Sequence, residues 1–579
     1  MSFRRLMVAV GAVGVVVCSQ ASPASAHAVL LRTDPSPQTT VAVQPAALRL
    51  VFSEPVEAVF GGVRLFNVDG ERVRTGEARH PETTRSELLV PVPTIGRGTY
   101  TVTWRVVSDD GHPVRGGFSF YVGAPSPVSS TAAVAAEGPT GRLVAWGGGA
   151  ARLAWYLALA LVVGAVVVRR WVWTPATIAC DLPEVARDFR RRFSHLLPGA
   201  WLLLATTGAA SLLFQAAKVS GLSLPESLDP AVLGEALGTS FGRLWVAEMA
   251  VTAALAVPVV LLARRRSPRW LSPGAWTLLG GVGVLSLIVL GALGGHARTD
   301  PNPVLAVASV SLHLTAVSAW IGGLLVLIIG GGPAAMTAPA ERRPALLGQV
   351  LRRFSPFAVG AVTVVIVTGV ANAVLEFDSF SDLWRLSYGR TVLAKVVALC
   401  LALLVAARHL LLIPRRLGCG DGEASAPLRS FGRSSKAEMA LLGVALALAA
   451  GLVDLVPGRT MAEAAKGPVT QERRAAGYTV QLFIDPTQAG ENDLHVSFIN
   501  ATGLTAAEVE TVEAELVYRQ DPPSPVRMRL LSPGHFVGQV DLAAPGTYRL
   551  DVRAPGPRGS VDATFNFRLT DSLFKQRAP

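Results

Sequence analysis

Three residues of this chain have the donor types and spacing to hold one metal ion. His27 follows Ala24-Ser25-Ala26, a small-x-small pattern. Ahead of that lie a basic pair, Arg4 and Arg5, and a short apolar run over residues 6–17. Together they read as an export signal spanning residues 1–26. Cleavage after Ala26 would make His27 the first residue. A terminal amine, with a pKa of about 8, yields its proton to a metal far more readily than a backbone amide. One residue then offers an amine and an imidazole together. Further along, Asp110 and His112 flank Gly111 in "SDDGHP", and in an extended chain residues i and i+2 point the same way. Taken singly, each feature is commonplace: signal cleavage tolerates almost any following residue, and Asp-Gly-His is an ordinary turn. Combined, they supply two imidazoles, one amine and a carboxylate, an N,N,N,O set that suits tetragonal Cu(II).

The elements that must position these groups are strands. "GTYTVTWRVVSDDGHPVRGGFSFYVG" (98–123) alternates through Tyr100, Val102, Trp104 and Val106, breaks at "SDDGHP", and resumes through Phe118 and Phe120. Residues 27–123 resemble the CopC periplasmic copper-binding family, a small Greek-key β-sandwich. The resemblance is carried by the "HA" at 27–28, "LVFSEPVE" (50–57), "VDGERV" (68–73) and "YTVTWRVVSDDGHPVRGGFSFYV" (100–122). It implies that His27, through amine and ring, binds Cu(II) with Asp110 and His112, and that Glu54 supports the site. Asp109 reads as a solvated turn residue and His80 as a loop histidine. No methionine lies between Met7 and Met249, so soft thioether ligands for Cu(I) are not expected in this domain.

The rest of the chain is too apolar to be wholly soluble. Half of its 579 residues are hydrophobic and 16% are charged, with mean hydropathy +0.42. A net charge of +12 would suit a nucleic-acid partner, but the arginines cluster beside apolar runs, as in "RDFRRRF" and "RRRSPR", so no nucleic-acid binding is expected. The four cysteines show no metal-clip spacing and imply no disulfide framework. After a small-residue and proline linker (124–142), eight apolar runs lie near 143–168, 195–217, 243–263, 274–294, 303–330, 355–376, 391–413 and 437–457. Each approaches or exceeds the roughly 20 residues a membrane-spanning helix needs. With the first domain outside, the loops expected to face inward carry 19 Lys/Arg and those facing outward carry 4, as the positive-inside rule requires. This places residues 143–457 in the cell membrane as an eight-helix bundle, in contact with lipid, with both terminal domains extracytoplasmic.

Polar residues in such a bundle are costly and therefore functional candidates. In "LGGHARTDPNPVLAVASVSLHLTAVSAWIGGLL" (293–325), His296 lies at the outer end of the fourth helix and His313 well inside the fifth. Trp320 follows His313 at i+7 on nearly the same face. This segment, "GRLWVAEMA" (242–250), "RRFSPFAV" (352–359) and "SYGRTVLAKVVAL" (387–399) resemble the CopD copper-resistance membrane family over about residues 145–457. The resemblance implies that copper captured by the outer domain passes to, or through, the bundle. The expected outer-half cluster is His296, His313, Glu248, Met249, Asn372 and Lys395. Glu248 and Lys395 also have opposite charges that would neutralise one another, and Met249 and Cys400 are residue types that commonly serve packing.

Residues 475–570 return to strands: seven short runs separated by Gly, Pro and Asn suggest a second, immunoglobulin-like sandwich. "GTYRLDV" echoes "GTYTVTW" without the Asp-Gly-His, and His495 and His535 read as surface or strand histidines. The fold class is thus a β-sandwich, a transmembrane α bundle and a second β-sandwich. The leading functional expectation is a copper-handling membrane protein for import, homeostasis or resistance, with copper ions and extracytoplasmic copper proteins as partners. No catalytic motif and no P-loop is present, so an enzyme is not expected. One alternative is membrane electron transfer, with paired histidines (His195, His409, His296, His313) holding haem. Another is an oxidative mononuclear copper enzyme, whose chemistry needs open the position Asp110 would fill.

Overall fold

The computed structural model describes residues 28–123, 142–264, 273–417, 425–455 and 469–569, apart from short stretches within these ranges, Asp110 among them. Within them, the side chains of 408–417 and 425–436 are not described. The expected signal peptide, His27, the side chain of His409 and nearly all of the linker fall outside what is described.

Among the described residues nine strands build the first domain: β1 (Leu30–Asp34), β2 (Thr40–Val41), β3 (Ala47–Phe52), β4 (Val56–Glu57), β5 (Val63–Phe66), β6 (Arg72–Val73), β7 (Glu87–Pro91), β8 (Gly98–Ser108) and β9 (Pro113–Val122). One sheet runs β1-β3-β7 and the other β2-β9-β8-β5-β6, with β4 paired to β8. Alternation decides which residues turn inward. Leu48, Leu50 and Phe52 of β3 meet Tyr100, Val102, Trp104 and Val106 of β8 and Phe120 of β9 in one core. Each such side chain, fully buried, contributes about 1.5–3 kcal/mol. The β8–β9 hairpin is in register from Gly98 opposite Val122 to Val107 opposite Pro113, which leaves Ser108–His112 as its turn.

The middle region is helical and apolar. Its principal helices are α1 (Leu143–Ala179), α2 (Pro183–Ser220), α3 (Ser240–Arg264), α4 (Gly274–Leu293), α5 (Pro303–Ala335), α6 (Ala340–Glu376), α7 (Ser387–Leu417) and α8 (Ser425–Leu452). Among the described residues seven are long and apolar enough to cross a membrane, and α8 contributes a shorter apolar segment, Ala437–Leu452. Leu278, Val304, Val367 and Val374 lie exposed along these helices, an arrangement that water would penalise and lipid would not. Two π-turns interrupt the ladders, Val168–Trp173 in α1 and Leu327–Gly331 in α5. Phe189, Phe193, Trp320, Leu324 and Phe354 pack around them in the largest core.

Among its described residues the last domain has nine strands: β10 (Val469–Ala475), β11 (Tyr478–Asp485), β12 (Gly490–Ile499), β13 (Glu513–Tyr518), β14 (Ser524–Val526), β15 (Met528–Ser532), β16 (His535–Leu542), β17 (Gly546–Gly556) and β18 (Gly559–Leu569). They form sheets β10-β11-β12-β16-β15 and β14-β13-β17-β18 over a shared core that includes Phe498, Phe536 and Phe565. Strand β10 begins at Val469, ahead of the expected boundary at 475, and nine strands stand where seven runs are expected, the three-residue β14 being the shortest. The helical region forms one compact unit and the two β domains together form another.

Candidate metal centre

The candidate site of the first domain is assembled by strand pairing. Gly111, at φ +88°, closes the β8–β9 turn, a conformation in which glycine meets no Cβ penalty. The Gly111 N–H donates to Ser108 O at 2.8 Å, and both the N–H and the hydroxyl of Ser108 donate to the His112 carbonyl, at 2.9 and 3.1 Å. His112 is thereby fixed at the start of β9, with its side chain buried. The same turn is tied to the Glu54 segment, because Asp109 N–H donates to Pro55 O at 3.0 Å and Val56 pairs with Ser108. The antiparallel pairing of Leu30 with Phe52 brings the chain into β1 from the end of the domain where Ser53–Pro55 lie. Ala28, buried in the core, marks that approach. The lead-in to β1, the Glu54 segment and the His112 turn therefore converge on one end of the domain. His27 and Asp110 themselves lie outside the described residues, and no three His, Cys, Asp or Glu side chains cluster for a metal among those described. His80 is a loop histidine whose Nδ1–H donates to Glu87 O at 2.8 Å.

In the bundle, the expected cluster divides into two. His313 of α5 hydrogen-bonds Thr368 of α6, Nδ1 to Oγ1, at 2.8 Å. One turn away on each helix, Ser309 Oγ–H donates to Asn372 Oδ1 at 2.7 Å. Antiparallel helices place these i, i+4 pairs in a ladder, and Lys395 of α7 lies within electrostatic range of His313. Glu248 and Met249 belong elsewhere. A side chain at Gly291 of α4 would meet Glu248 Oε1 and the Trp155 ring at about 4 Å, and one at Gly208 of α2 would meet Met249 Sδ at 3.4 Å. Glu248 and Lys395 therefore do not pair: among the described residues neither makes an ion pair. Trp320 is buried in the main core rather than beside His313. His296 occupies a single 3-10 turn between α4 and α5, and His195 is exposed on α2.

Sequence reasoning missed the pairing of His495 and His535. Both are strand residues, but neither is on the surface. His495 Nδ1 and His535 Nε2 stand 3.1 Å apart in a hydrogen bond, and His535 is fully buried. Burial, reinforced by His495, lowers the His535 pKa to about 3, and burial lowers that of His495. Tyr121 of β9 meets the His535 ring edge-on at 6.2 Å, and burial raises its phenol pKa to about 12. The signal lies in cross-strand register, Ser497 opposite His535, which no local pattern reveals.

These features define a multi-pass membrane protein with a copper-binding type of β domain ahead of its helices. A family model for the CopC domain matches residues 30–123, one for the copper resistance protein D-like N-terminal domain matches 143–302, and one for copper resistance protein D matches 348–452. The chain belongs to the CopC family through its first domain and joins to it, in one polypeptide, the copper resistance protein D family domains of its helical region, with a β-sheet region after the helices. The copper transport protein CutJ of Bacillus subtilis (strain 168) is 26% identical over 494 residues, 84% of either chain. The protein YobA of Escherichia coli (strain K12) is 39% identical over 98 residues, covering 17% of this chain and 79% of YobA. The crystal structure of CopC from Methylosinus trichosporium OB3b matches 17% of this chain and 95% of its own, at 32% identity and a TM-score of 0.16.

Proposed function

We propose that the outer domain captures Cu(II) through the amine and ring of His27, Asp110 and His112, with Glu54 in support, and hands copper to the helical bundle for movement across, or homeostasis at, the cell membrane. Both β domains lie outside the membrane in this reading, and the chain acts as a carrier rather than a catalyst. Its main support is the convergence of the lead-in to β1, the Glu54 segment and the His112 turn at one end of the domain. The name of the CutJ relative, a copper transport protein over most of the same length, points the same way. An N,N,N,O set with a carboxylate favours Cu(II) over Cu(I).

The test is a single alanine placed before His27 in the mature chain. It converts the chelating amine into an amide, so Cu(II) affinity should fall by two or more orders of magnitude in a competition titration. Unchanged affinity would refute this ligand set.

A further inference from the structure

The helical region contains the same unit twice. "RRFS" at 191–194 recurs at 352–355, and the same interval beyond it, Thr207-Gly208 recurs as Thr368-Gly369. "SFGRLWVAE" at 240–248 recurs as "SYGRTVLAK" at 387–395. Of the two family models that cover this region, one takes the first half, 143–302, and the other lies within the second, at 348–452.

The structure repeats what the sequence repeats. Arg243 Nη2 donates to Ser240 Oγ at 2.9 Å, and Arg390 Nη2 donates to Ser387 Oγ at 3.3 Å. Each third residue, Gly242 or Gly389, is pressed against a short preceding helix, Pro230–Gly238 or Asp382–Arg385. The π-turns fall at matching places in α1 and α5. Helix α1 packs on α2 as α5 packs on α6, α2 on α3 as α6 on α7, and α3 on α4 as α7 on α8. The circuit closes symmetrically, α4 on α5 and α8 on α1. At the centre α1 meets α5, where Gly164 and Gly322 allow backbone-to-backbone contact and a Cβ on either would collide with the other helix. Two four-helix units in the same orientation, about an axis through that contact, are the parallel repeat arrangement seen in several transporter architectures.

The repeat also matches the two polar clusters to each other. A side chain at Gly208 would meet Trp155 Cδ1 at 3.9 Å, and one at the equivalent Gly369 would meet His313 Cε1 at 3.7 Å. Trp155 and His313 therefore hold corresponding places, as do Glu248 and Lys395. We infer that residues 142–302 and 303–452 are duplicated four-helix units whose equivalent polar positions have diverged, giving a soft-cation site at Glu248, Met249 and Trp155 and a basic site at His313 and Lys395. In the first unit a carboxylate with no hydrogen-bond or ion-pair partner among the described residues lies toward one end of the Trp155 indole, on the Gly291 side, and the Met249 thioether lies toward the other, on the Gly208 side. That combination of negative charge, soft sulfur and aromatic face favours a monovalent soft metal, Cu(I). In the second unit the lysine ammonium repels such an ion, and His313 Nδ1 is already engaged by Thr368.

The cation site deepens the proposal that copper reaches the bundle, but it is tested separately from the outer site. The purified full-length protein is titrated with Cu(I) alone against a chromophoric chelator. E248Q and M249L should each weaken Cu(I) binding at least tenfold, while Cu(II) affinity at the outer domain stays unchanged. K395M should not weaken Cu(I) binding. E248K should abolish it, and the exchange E248K/K395E/V396M should restore it in part, because the second unit then carries the carboxylate and the thioether at the equivalent positions. Size-exclusion and circular-dichroism profiles matching the parent qualify each variant, and the isosteric E248Q remains decisive should a charge reversal fail to fold. Cu(I) affinity indifferent to E248Q and M249L would overturn the site. A folded exchange variant as inactive as E248K would overturn the equivalence. Loss of the outer Cu(II) site with the bundle titration intact would instead count against the capture scheme alone.

Discussion

The two β domains share a hairpin and differ in what it carries. In the first, Tyr100 donates to Gly96 O at 3.1 Å and stacks on Phe120 at 5.8 Å. In the second, Tyr548 donates to Ala544 O at 2.7 Å and stacks on Phe567 at 5.6 Å. Each tyrosine follows a Gly-Thr pair and faces its aromatic partner in register across the strands. The segment between β8 and β9 includes Asp109, Asp110, Gly111 and His112, whereas only two residues, neither histidine nor carboxylate, separate Gly556 of β17 from Gly559 of β18. The second domain's histidines sit instead in strands, buried and bonded to each other. A shared framework thus says little about ligands; the turn residues it displays decide them.

The comparison breaks most visibly at the metal. His112→Ala should cost at least about a hundredfold in Cu(II) affinity (about 2.7 kcal/mol), whereas His535→Ala should leave outer-domain Cu(II) binding unchanged in the same titration. Equal losses would mean that the strand histidines belong to the outer site.

A smaller difference lies in acid sensitivity. In the folded chain the His535 pKa is lowered to about 3, against about 6.5 when unfolded. The unfolded chain therefore takes up protons first as pH falls. The stabilisation is complete above the unfolded value and is lost progressively from about pH 6.5 down towards pH 3. By pH 5 the second domain should have lost about 2 kcal/mol from this residue, with His495 acting in the same direction. Hydrogen exchange of β12 and β16 amides in the full chain, compared at pH 7 and pH 5, reads this directly. His535→Phe should flatten the dependence, and an unaltered slope in that variant would place the acid sensitivity elsewhere.

The smallest effect should be common to both domains. Tyr100→Phe removes one hydroxyl-to-carbonyl bond and should cost about 1 kcal/mol, and Tyr548→Phe removes its counterpart together with the bond that hydroxyl accepts from the Ala544 N–H at 3.2 Å and should cost about 1–2 kcal/mol, both measured by denaturant unfolding. A large inequality between them would show that the two hairpins are less alike than their geometry.

Much of this architecture was legible beforehand because it is written locally. Apolar runs mark the helices, alternation marks β8 and β9, and the turn at Gly111 is announced by Asp-Asp-Gly-His. Trp320 illustrates the limit. Its i+7 spacing from His313 suggested a shared polar face, yet the side chain packs into the main core, since helix spacing gives a direction but not the neighbour found there. Glu248 and Lys395 looked like partners by charge, and their helices hold them in separate clusters. The repeated "RRFS" and "SFGR/SYGR" segments were visible as letters, but their meaning needed the matching contacts.

Sequence alone determined the order of domains, the apolar helices, the strand patterns and the donor types near the outer site, because each depends on composition, periodicity or residues close together in the chain. Tertiary structure decided which distant groups meet: His495 with His535, His313 with Thr368, Glu248 with Trp155 rather than Lys395. Those meetings depend on strand register and on which helix packs against which, quantities set by the summed burial of whole faces and by no single residue.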